Sequence, residues 1–292
     1  MSADRPQVAL VTGASRGAGK GIALALGAAG MTVYITGRSR ETSLGRLRDV
    51  ALPGTVLETA AQVSALGGRG VAVPCDHRDD GAVEQVLRRI ADESGRLDIL
   101  VNNATAIHDA LIDPGGFWEK PLALADILEV GLRSAYVASY FAAPLMVAAR
   151  RGLIAFTSSF GSSCYMHGPA YGAQKAGLDK FAADMAVDLQ PHNVASISLW
   201  LGPQLTERTA VAGRSRPDQY EAFLRTGETP QFNGRIIYAL ASDPELMSLS
   251  GQTLISAEAA RRYDITEEGG REPPSYREML GAPRLPHPAK GM

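Results

Sequence analysis

Short apolar runs typical of β-strands alternate with longer helical patterns over most of this 292-residue chain. Strands that alternate with helices of this length build parallel β-α-β units with right-handed crossovers. We therefore expect an α/β fold with one doubly wound, seven-stranded parallel sheet and helices on both faces. The predicted strands are residues 7–12, 32–36, 70–74, 97–101, 152–157, 194–200 and 252–255. The predicted helices lie near residues 17–29, 55–66, 79–94, 122–150, 169–190 and 231–242.

A glycine-rich turn follows the first predicted strand and leads directly into a predicted helix. Its glycines are Gly13, Gly17 and Gly19. Glycines here allow a tight turn, and they let backbone N–H groups approach a pyrophosphate at the positive end of the helix. A turn without a ligand is the alternative. The position of the turn in an alternating β/α chain favours nucleotide binding and a Rossmann-type fold.

Composition divides the chain into one main unit and a tail. Residues 1–263 are expected to form a single cofactor-binding and catalytic domain, in which the long interruption at 203–230 is typical of a substrate lid. A polar, glycine-containing insertion occupies residues 37–54. Residues 264–292 are rich in Pro, Gly and charge, so we expect a tail that lies on the surface or is partly disordered.

Further motifs follow in a fixed order along the chain. They are Thr12-Gly13-x-x-x-Gly17-x-Gly19, Asn102-Asn103-Ala104, Ser158, Tyr171-x-x-x-Lys175 and Gly202-x-x-x-Thr206. In combination they resemble the short-chain dehydrogenase/reductase family over residues 6–256. Within that family, stretches such as FWEKP (117–121) and VGLRSAYVAS (130–139) look closest to the branch of dehydrogenase/reductase member 1.

Tyr171 and Lys175 form the predicted catalytic pair. Their spacing places both side chains on one face of a helix. One cation at ~4 Å is worth about 4 kcal/mol, so Lys175 is expected to lower the Tyr171 pKa from ~10 toward ~7, where acid–base catalysis works best. The resemblance implies that Tyr171 donates a proton to a carbonyl oxygen as NADPH delivers hydride, while Lys175 also holds the nicotinamide ribose.

Two adjacent serines are candidates for the hydrogen-bond donor to the substrate carbonyl. In the family pattern a glycine stands three residues after the catalytic serine, and Gly161 fits Ser158 in this way. Ser158 also precedes Tyr171 by 13 residues. We therefore favour Ser158, with Ser159 as the alternative.

The second predicted strand ends at Thr36-Gly37-Arg38, without the carboxylate that binds the ribose of NAD. Arg16 and Arg38 are expected to bind the 2′-phosphate, so NADP(H) is favoured over NAD(H). The resemblance implies that Asp76 contacts the adenine, although it could instead cap the next helix. The candidate cofactor-binding residues are Gly13, Ser15, Arg16, Gly17, Gly19, Arg38, Asp76, Asn103, Tyr171, Lys175 and Thr206.

The substrate pocket is expected between loop 105–120 and the lid 203–230, whose apolar content hints at an apolar carbonyl compound. Residues 164–167 (CYMH) are expected either to wall this pocket or to be structural. The sequence departs from the family at Gly131, where the resemblance implies a helix Asn that helps to hold a water near Lys175. We expect a helix kink at Gly131 to preserve this function.

Charge and composition exclude several classes of protein. The formal net charge of −2 argues against a nucleic-acid binder, and two cysteines without metal-ligand spacing argue against a disulfide framework or a metal site. No signal peptide or membrane span is recognised, so a cytoplasmic location is expected. The resemblance implies a homodimer or homotetramer built on helices 122–150 and 169–190. An epimerase or dehydratase, or a regulator that binds NADP(H) without turnover, remains an alternative to the carbonyl reductase.

Overall fold

A computed structural model describes residues 6–215, 217–287 and 289. The strands are β1 (Val8–Val11), β2 (Thr32–Gly37), β3 (Arg46–Leu47), β4 (Val50–Ala51), β5 (Arg69–Pro74), β6 (Ile99–Asn102), β7 (Gly152–Ser158), β8 (Val194–Trp200) and β9 (Thr253–Ile255). The α-helices are α1 (Gly17–Ala28), α2 (Val56–Ala65), α3 (Asp80–Ser94), α4 (Ser134–Ala149), α5 (Pro169–Leu189), α6 (Glu207–Ser215), α7 (Pro217–Thr226), α8 (Pro230–Ser242), α9 (Leu246–Leu249), α10 (Ser256–Arg262) and α11 (Arg277–Leu280).

Seven strands form one parallel sheet in the order β5-β2-β1-β6-β7-β8-β9. The central strand β1 pairs Val8 with Thr32 of β2 on one side and Ala9 with Ile99 of β6 on the other. The predicted fold class and its seven strands are therefore confirmed. The order reverses between β1 and β6, and in doubly wound sheets ligands bind at the carboxyl ends of the strands beside such a reversal.

Both faces of the sheet are covered, which explains why its strands read as continuous apolar runs. One core cluster joins the sheet to α1, α2 and α8, through residues such as Ile22, Val63 and Phe232. The other joins it to α3, α4 and α5, through residues such as Ile90 and Leu178. Every residue of β7 and β8 is buried.

The predicted lid contains two helices, α6 and α7, and its ends are held together at the base. Leu205 N donates to Glu228 O (2.8 Å), and Glu228 N donates to Pro203 O (2.7 Å). The Glu228 side chain is buried beneath this bridge, where its carboxylate accepts hydrogen bonds from Gly202 N (3.0 Å) and Gln204 Nε2 (3.0 Å). The lid therefore leaves and rejoins the domain at one fixed point.

The insertion at 37–54 carries the short β3–β4 hairpin and contacts two other loops. Arg48 Nη2 donates to Asp113 Oδ1 (2.8 Å) in loop 105–120. Arg208, in α6 of the lid, donates to Arg46 O (2.9 Å) in the insertion and to Asp109 Oδ1 (3.2 Å). The insertion, loop 105–120 and the lid thus meet in one junction.

Residues 264–287 pack against the lid and against the loop that follows β7. Arg271 Nη2 donates to Gly227 O (2.8 Å), and the Tyr276 hydroxyl lies 2.9 Å from Thr226 Oγ1. Ser163 Oγ donates to Leu280 O (3.0 Å). Residues 1–5 and 216 of the predicted main unit lie outside the described residues. The same holds for residues 288 and 290–292 of the predicted tail. None of the described helices is long and apolar enough to cross a membrane.

Candidate active site

The glycine turn lies between β1 and α1, where the chain must pass close to the neighbouring β6 loop. Gly13 has φ +66°, and a Cβ there would lie 2.6 Å from Ala104 Cα. Asn103 Nδ2 donates to Thr12 O (2.9 Å) and Gly13 O (3.2 Å), so it fixes the turn from the next strand. This contact explains why a glycine turn and an Asn pair occur together in the sequence.

The first N–H of α1 already binds an anionic group. Gly17 N donates to a carboxylate oxygen of Glu207 at 3.0 Å, and Glu207 begins lid helix α6. Thr206 faces the same turn, since a Cβ on Gly17 would lie 3.8 Å from its Cγ2. The helix N-terminus is therefore suited to an anion such as a dinucleotide phosphate. Sequence reasoning missed Glu207, although it follows the Thr206 motif directly.

The two predicted phosphate-binding arginines differ in their surroundings. Arg16 donates hydrogen bonds to the insertion. Its Nη2 donates to Ser39 Oγ (2.8 Å), Ser43 Oγ (2.8 Å) and Gly54 O (2.9 Å). Its Nε donates to Pro53 O (3.0 Å). Burial lowers the Arg16 pKa, mainly through lost hydration. Arg38 is exposed, and no hydrogen bond or ion pair engages its guanidinium within residues 6–215, 217–287 and 289. Arg16 therefore anchors the insertion, while Arg38 presents an exposed guanidinium just after β2.

Asp76 follows β5 at the predicted adenine side. Its Oδ1 accepts from Arg78 N (3.1 Å) within a local turn. The alternative role of capping the next helix belongs instead to Asp79, whose Oδ1 accepts from Ala82 N (3.0 Å) at the start of α3. Ser15 is buried beside Gly37, whose Cβ would lie 3.5 Å from Ser15 Oγ.

Tyr171 and Lys175 lie on one face of α5 at the carboxyl end of β7, as predicted from their spacing. The Tyr171 hydroxyl lies 2.9 Å from Ser159 Oγ. Lys175 Nζ lies 5.4 Å from the centre of the Tyr171 ring and donates to Thr157 O at 3.1 Å. Three groups that can donate protons or hydrogen bonds therefore converge at one point.

The structure places Ser159, rather than the favoured Ser158, beside the Tyr171 hydroxyl. Ser158 Oγ donates to Lys175 O (3.2 Å), away from the phenol. Successive residues of an extended chain point to opposite sides, so only one serine can face Tyr171. The glycine spacing that favoured Ser158 carries no information about the direction in which each serine side chain points. Ser159 therefore faces the phenol, and its Oγ also accepts from Gly161 N (3.2 Å).

Burial dominates the ionisation of Tyr171 and Lys175. It raises the pKa of Tyr171, with the Ser159 hydrogen bond acting in the opposite direction. The expected lowering of the Tyr171 pKa is therefore not found, because lost hydration of the phenol outweighs the other effects and the ammonium is directed to Thr157. Burial also lowers the pKa of Lys175 to about 8, and the nearby Asp179 carboxylate opposes this shift.

Asp179 was not identified from the sequence, although it stands one helical turn after Lys175. Its carboxylate accepts from Ser198 Oγ (2.6 Å) and Trp200 Nε1 (2.8 Å) of β8. Burial raises the pKa of Asp179 despite these hydrogen bonds. The residue therefore fixes α5 to the sheet directly below the catalytic pair.

A cavity of about 550 Å³ lies between loop 105–120 and the lid, where the substrate pocket was expected. Its lining includes Leu111, Lys120, Tyr165, His167, Tyr220 and Phe223. The His167 ring packs edge-on against Tyr171, with the ring centres 5.0 Å apart, so His167 lies between the cavity and the phenol. Burial, together with the charges of Lys120 and Lys175, lowers the His167 pKa.

Residues 164–167 alternate between the two expected roles, lining the pocket and packing in the core. Tyr165 and His167 line the cavity. Cys164 and Met166 pack on the other side against a cluster of Phe160, Trp200 and Ile255. Two of the four therefore wall the pocket, and two are structural.

The predicted kink at Gly131 is present. Leu128–Arg133 form a π-helical turn before α4, with non-helical dihedral angles at Val130 (φ −104°, ψ 93°) and Gly131 (φ +146°, ψ −41°). Val130 O leaves the helix and accepts from Ala106 N (2.7 Å). Such turns frequently occur at functional sites.

A sequence model of the short chain dehydrogenase family matches residues 7–217 of this chain. The chain belongs to the short-chain dehydrogenase family. It is 41% identical over 281 residues to dehydrogenase/reductase SDR family member 1 of Homo sapiens, and the alignment covers 92% of this chain and 86% of that protein. It is 30% identical to 3-oxoacyl-[acyl-carrier-protein] reductase of Synechocystis sp., with coverage of 87% and 96%. A short chain dehydrogenase structure from Mycobacterium thermoresistibile matches with a TM-score of 0.74 and 25% identity, over 92% of this chain and 91% of that chain.

The predicted family and branch are thus confirmed, and the chain is an oxidoreductase of a family that uses a nicotinamide dinucleotide. The residues present fit such a group. At the N-terminus of α1, Gly17 N donates to a carboxylate, and Thr206 faces the same turn. Tyr171 and Lys175 lie at the carboxyl end of the central strands, on the same edge of the sheet.

Proposed function

We propose that this chain is an NADP(H)-dependent carbonyl reductase, which also oxidises the matching alcohol in the reverse direction. The observation that carries the proposal is the 2.9 Å contact between the Tyr171 hydroxyl and Ser159 Oγ, beside Lys175 and near the cavity between loop 105–120 and the lid. A phenol and a second hydroxyl at this distance can both donate to a single carbonyl oxygen.

In the proposed reaction, Ser159 Oγ orients the carbonyl oxygen of the substrate, and Tyr171 donates its proton to that oxygen. The bound dinucleotide would supply the hydride to the carbonyl carbon. Because burial raises the pKa of Tyr171, the phenol is protonated at neutral pH, as a proton donor must be. The Lys175 ammonium stabilises the phenolate that remains.

The choice of NADP(H) rests on the end of β2. Thr36, Gly37 and Arg38 provide no carboxylate that would repel a 2′-phosphate, and Arg38 offers an exposed guanidinium. Guanidinium groups bind phosphate through charge-assisted hydrogen bonds. Arg16 is adjacent, but it supports this site through the loop that it anchors.

The cavity favours a carbonyl compound with an apolar body. Leu111, Tyr220 and Phe223 supply apolar and aromatic surface, and His167 separates this surface from the phenol. Ligand pockets are typically lined in this way, with a few polar groups that fix orientation. We propose a small aldehyde or ketone as the substrate, acted on in the cytoplasm by a homodimer or homotetramer.

The decisive test follows NADPH absorbance against a panel of aldehydes, ketones and quinones, with the parent protein and Tyr171→Phe. The parent should oxidise NADPH with at least one carbonyl compound. Tyr171→Phe should bind NADPH normally, while kcat falls by about 10²–10⁴, the usual contribution of a positioned proton donor. NADPH binding without turnover on any compound would instead favour a regulator, and unchanged turnover in the variant would exclude Tyr171.

A further inference from the structure

The side chain of Gln174 fills the space next to the Gly131 kink. A Cβ at residue 131 would lie 2.5 Å from Gln174 Nε2 and 3.1 Å from Thr105 Oγ1. Gln174 is 1% exposed, and its Nε2 donates to Thr105 Oγ1 at 3.4 Å. The glycine therefore makes room for a buried amide that directly precedes Lys175 in α5.

The amide is only half satisfied. Within the described residues, Gln174 Oε1 is buried and has no hydrogen-bond partner. A buried polar atom without a partner costs about 1–3 kcal/mol, and nearly all such atoms in proteins have partners, which include ordered water. An acceptor that is retained in such a place, beside a catalytic residue, calls for a specific role.

A second buried acceptor without a partner belongs to a residue that Thr157 links to the Lys175 ammonium. Asn102 Oδ1 is also buried without a partner among the described residues. Thr157 connects Asn102 to Lys175, because its hydroxyl donates to Asn102 O (3.4 Å) and its carbonyl accepts from Lys175 Nζ (3.1 Å). An ammonium group has three N–H donors. A buried site with free acceptors and a free donor is suited to an ordered water.

We propose that Gln174 is a positioning residue for Lys175, because its Oε1 accepts a hydrogen bond from a water that also accepts from the Lys175 ammonium. The inference rests on the proposed function. The amide that occupies the space beside the Gly131 kink is supplied by α5. Gly131 and Gln174 then form one unit, in which the glycine is required by the glutamine.

The proposal is tested with Gln174→Leu, which removes the acceptor at similar volume, and Gln174→Glu, which keeps an acceptor and adds charge. The full chain has five lysines, so side-chain ¹³C NMR of labelled protein can follow the Lys175 titration directly. Gln174→Leu should lower the Lys175 pKa by about 0.5–1 unit, the value of one hydrogen bond. Gln174→Glu should raise the Lys175 pKa.

Turnover gives a second readout. In Gln174→Leu, kcat should fall about tenfold and the alkaline limb of its pH profile should move to lower pH, while NADPH affinity stays within about threefold. In Gln174→Glu, the alkaline limb should move to higher pH. The NMR titration needs no substrate, so a failure of the proposed reductase function would not be confused with a failure of this inference.

Asn233→Leu is the matched control, because Asn233 also carries a buried amide oxygen without a partner among the described residues, in helix α8. It should reduce thermal stability and leave the Lys175 pKa unchanged. The proposal is overturned if folded Gln174→Leu keeps the parent titration, or if Asn233→Leu shifts it equally. If Gln174→Leu does not fold, Gln174→Glu decides, and a Lys175 pKa equal to that of the parent overturns the proposal.

Discussion

Ser158 and Ser159 are neighbours on the chain, but their hydroxyl groups serve different partners. Ser159 Oγ lies 2.9 Å from the Tyr171 hydroxyl, and Ser158 Oγ donates to the Lys175 carbonyl. Removing one donor to a developing oxyanion costs about 10²–10³ in kcat. We therefore expect Ser159→Ala to lower kcat by about 10²-fold or more, and Ser158→Ala by less than about fivefold. Steady-state kinetics of the two variants, side by side, measures the contrast, and a greater loss in Ser158→Ala would restore the sequence-based choice.

Because of Lys175, the stability of the cofactor-free protein should change with pH in the alkaline range. Its pKa is lowered from 10.5 to about 8, so the folded state releases this proton before the unfolded chain does. Stability therefore rises as the pH increases from about 8 to 10.5, by about 3 kcal/mol at 1.36 kcal/mol per unit.

Urea unfolding of the parent and of Lys175→Met between pH 7 and pH 11 tests this pH dependence. The free energy of unfolding of the parent, relative to the variant, should increase across the window. Titrations shared by both chains cancel in this difference. A difference that is constant with pH would mean that Lys175 is not held in an unfavourable environment.

Arg38 and Arg16 should affect cofactor binding in different ways. Arg38 has an exposed guanidinium, so Arg38→Ala should reduce the preference for NADPH over NADH by about tenfold or more, the value of one charge-assisted contact. Arg16 holds Ser39, Ser43 and Gly54, so Arg16→Ala should weaken both dinucleotides together. Titrations followed by NADPH and NADH fluorescence measure both ratios. Loss of the preference in Arg16→Ala alone would reverse the assignment.

At the scale of single elements, the π-helical turn before α4 depends on one residue without a side chain. Gly131 has φ +146°, a conformation that strains any residue with a Cβ, and the added methyl would meet Gln174 Nε2 at 2.5 Å. Gly131→Ala should lose about 1–3 kcal/mol of stability. Its kcat should fall more than its NADPH affinity, because the displaced amide lies beside Lys175.

Gly81→Ala in α3 is the control for this change. Gly81 is an exposed helix residue, and a Cβ there meets only Asp79 Oδ1, at 3.3 Å. Gly81→Ala should leave kcat unchanged and keep or slightly raise stability. Thermal unfolding and kinetics of both variants give the comparison, and an unchanged kcat in Gly131→Ala would reduce Gly131 to a passive substitution.

Elements with a strong pattern could be predicted, and those held by tertiary contacts could not. The buried strands and most helices with an apolar stripe agree with the sequence to within about two residues. The helix predicted at 122–150 is the exception, because α4 begins only at Ser134, after the π-helical turn Leu128–Arg133. Helices α6 and α7 were missed because their segment is polar and contains Gly213 and Pro217. Their ends are fixed by Glu228, which lies far from Gly202 in sequence.

The same limit applies to the candidate site. Spacing identified the glycine turn, Tyr171 and Lys175, because each depends on one local element. Neither the direction of the Ser159 side chain nor the contact of Gln174 with the Gly131 turn could be derived this way. Both depend on how α5 and the start of α4 pack together, and no single segment encodes that contact.

At the scale of the whole molecule, two long helices present large apolar side chains to solvent. Tyr136 and Tyr140 of α4 are 50% and 63% exposed, and Val187 of α5 is 41% exposed. We expect these faces to pair between copies of the chain, because exposed apolar patches on a protein commonly mark interfaces. Light scattering at micromolar concentration should give a dimer or tetramer.

Tyr140→Arg should shift this mass toward the monomer, since it would bury a charge without a partner at the interface. Tyr165→Arg is the control, because Tyr165 is 83% exposed but lies at the substrate cavity rather than on α4 or α5. A parent protein that is already monomeric would rule out the assembly.

The junction of insertion 37–54, loop 105–120 and lid helix α6 has a consequence for protein engineering. Arg16 anchors the insertion from the nucleotide side, and Arg208 connects the same insertion to the lid. A redesign of the insertion to exchange one dinucleotide for the other would therefore also shift the lid, and with it the range of compounds accepted. Selection for a new cofactor should be carried out with the intended substrate present, because the two specificities share one set of loops.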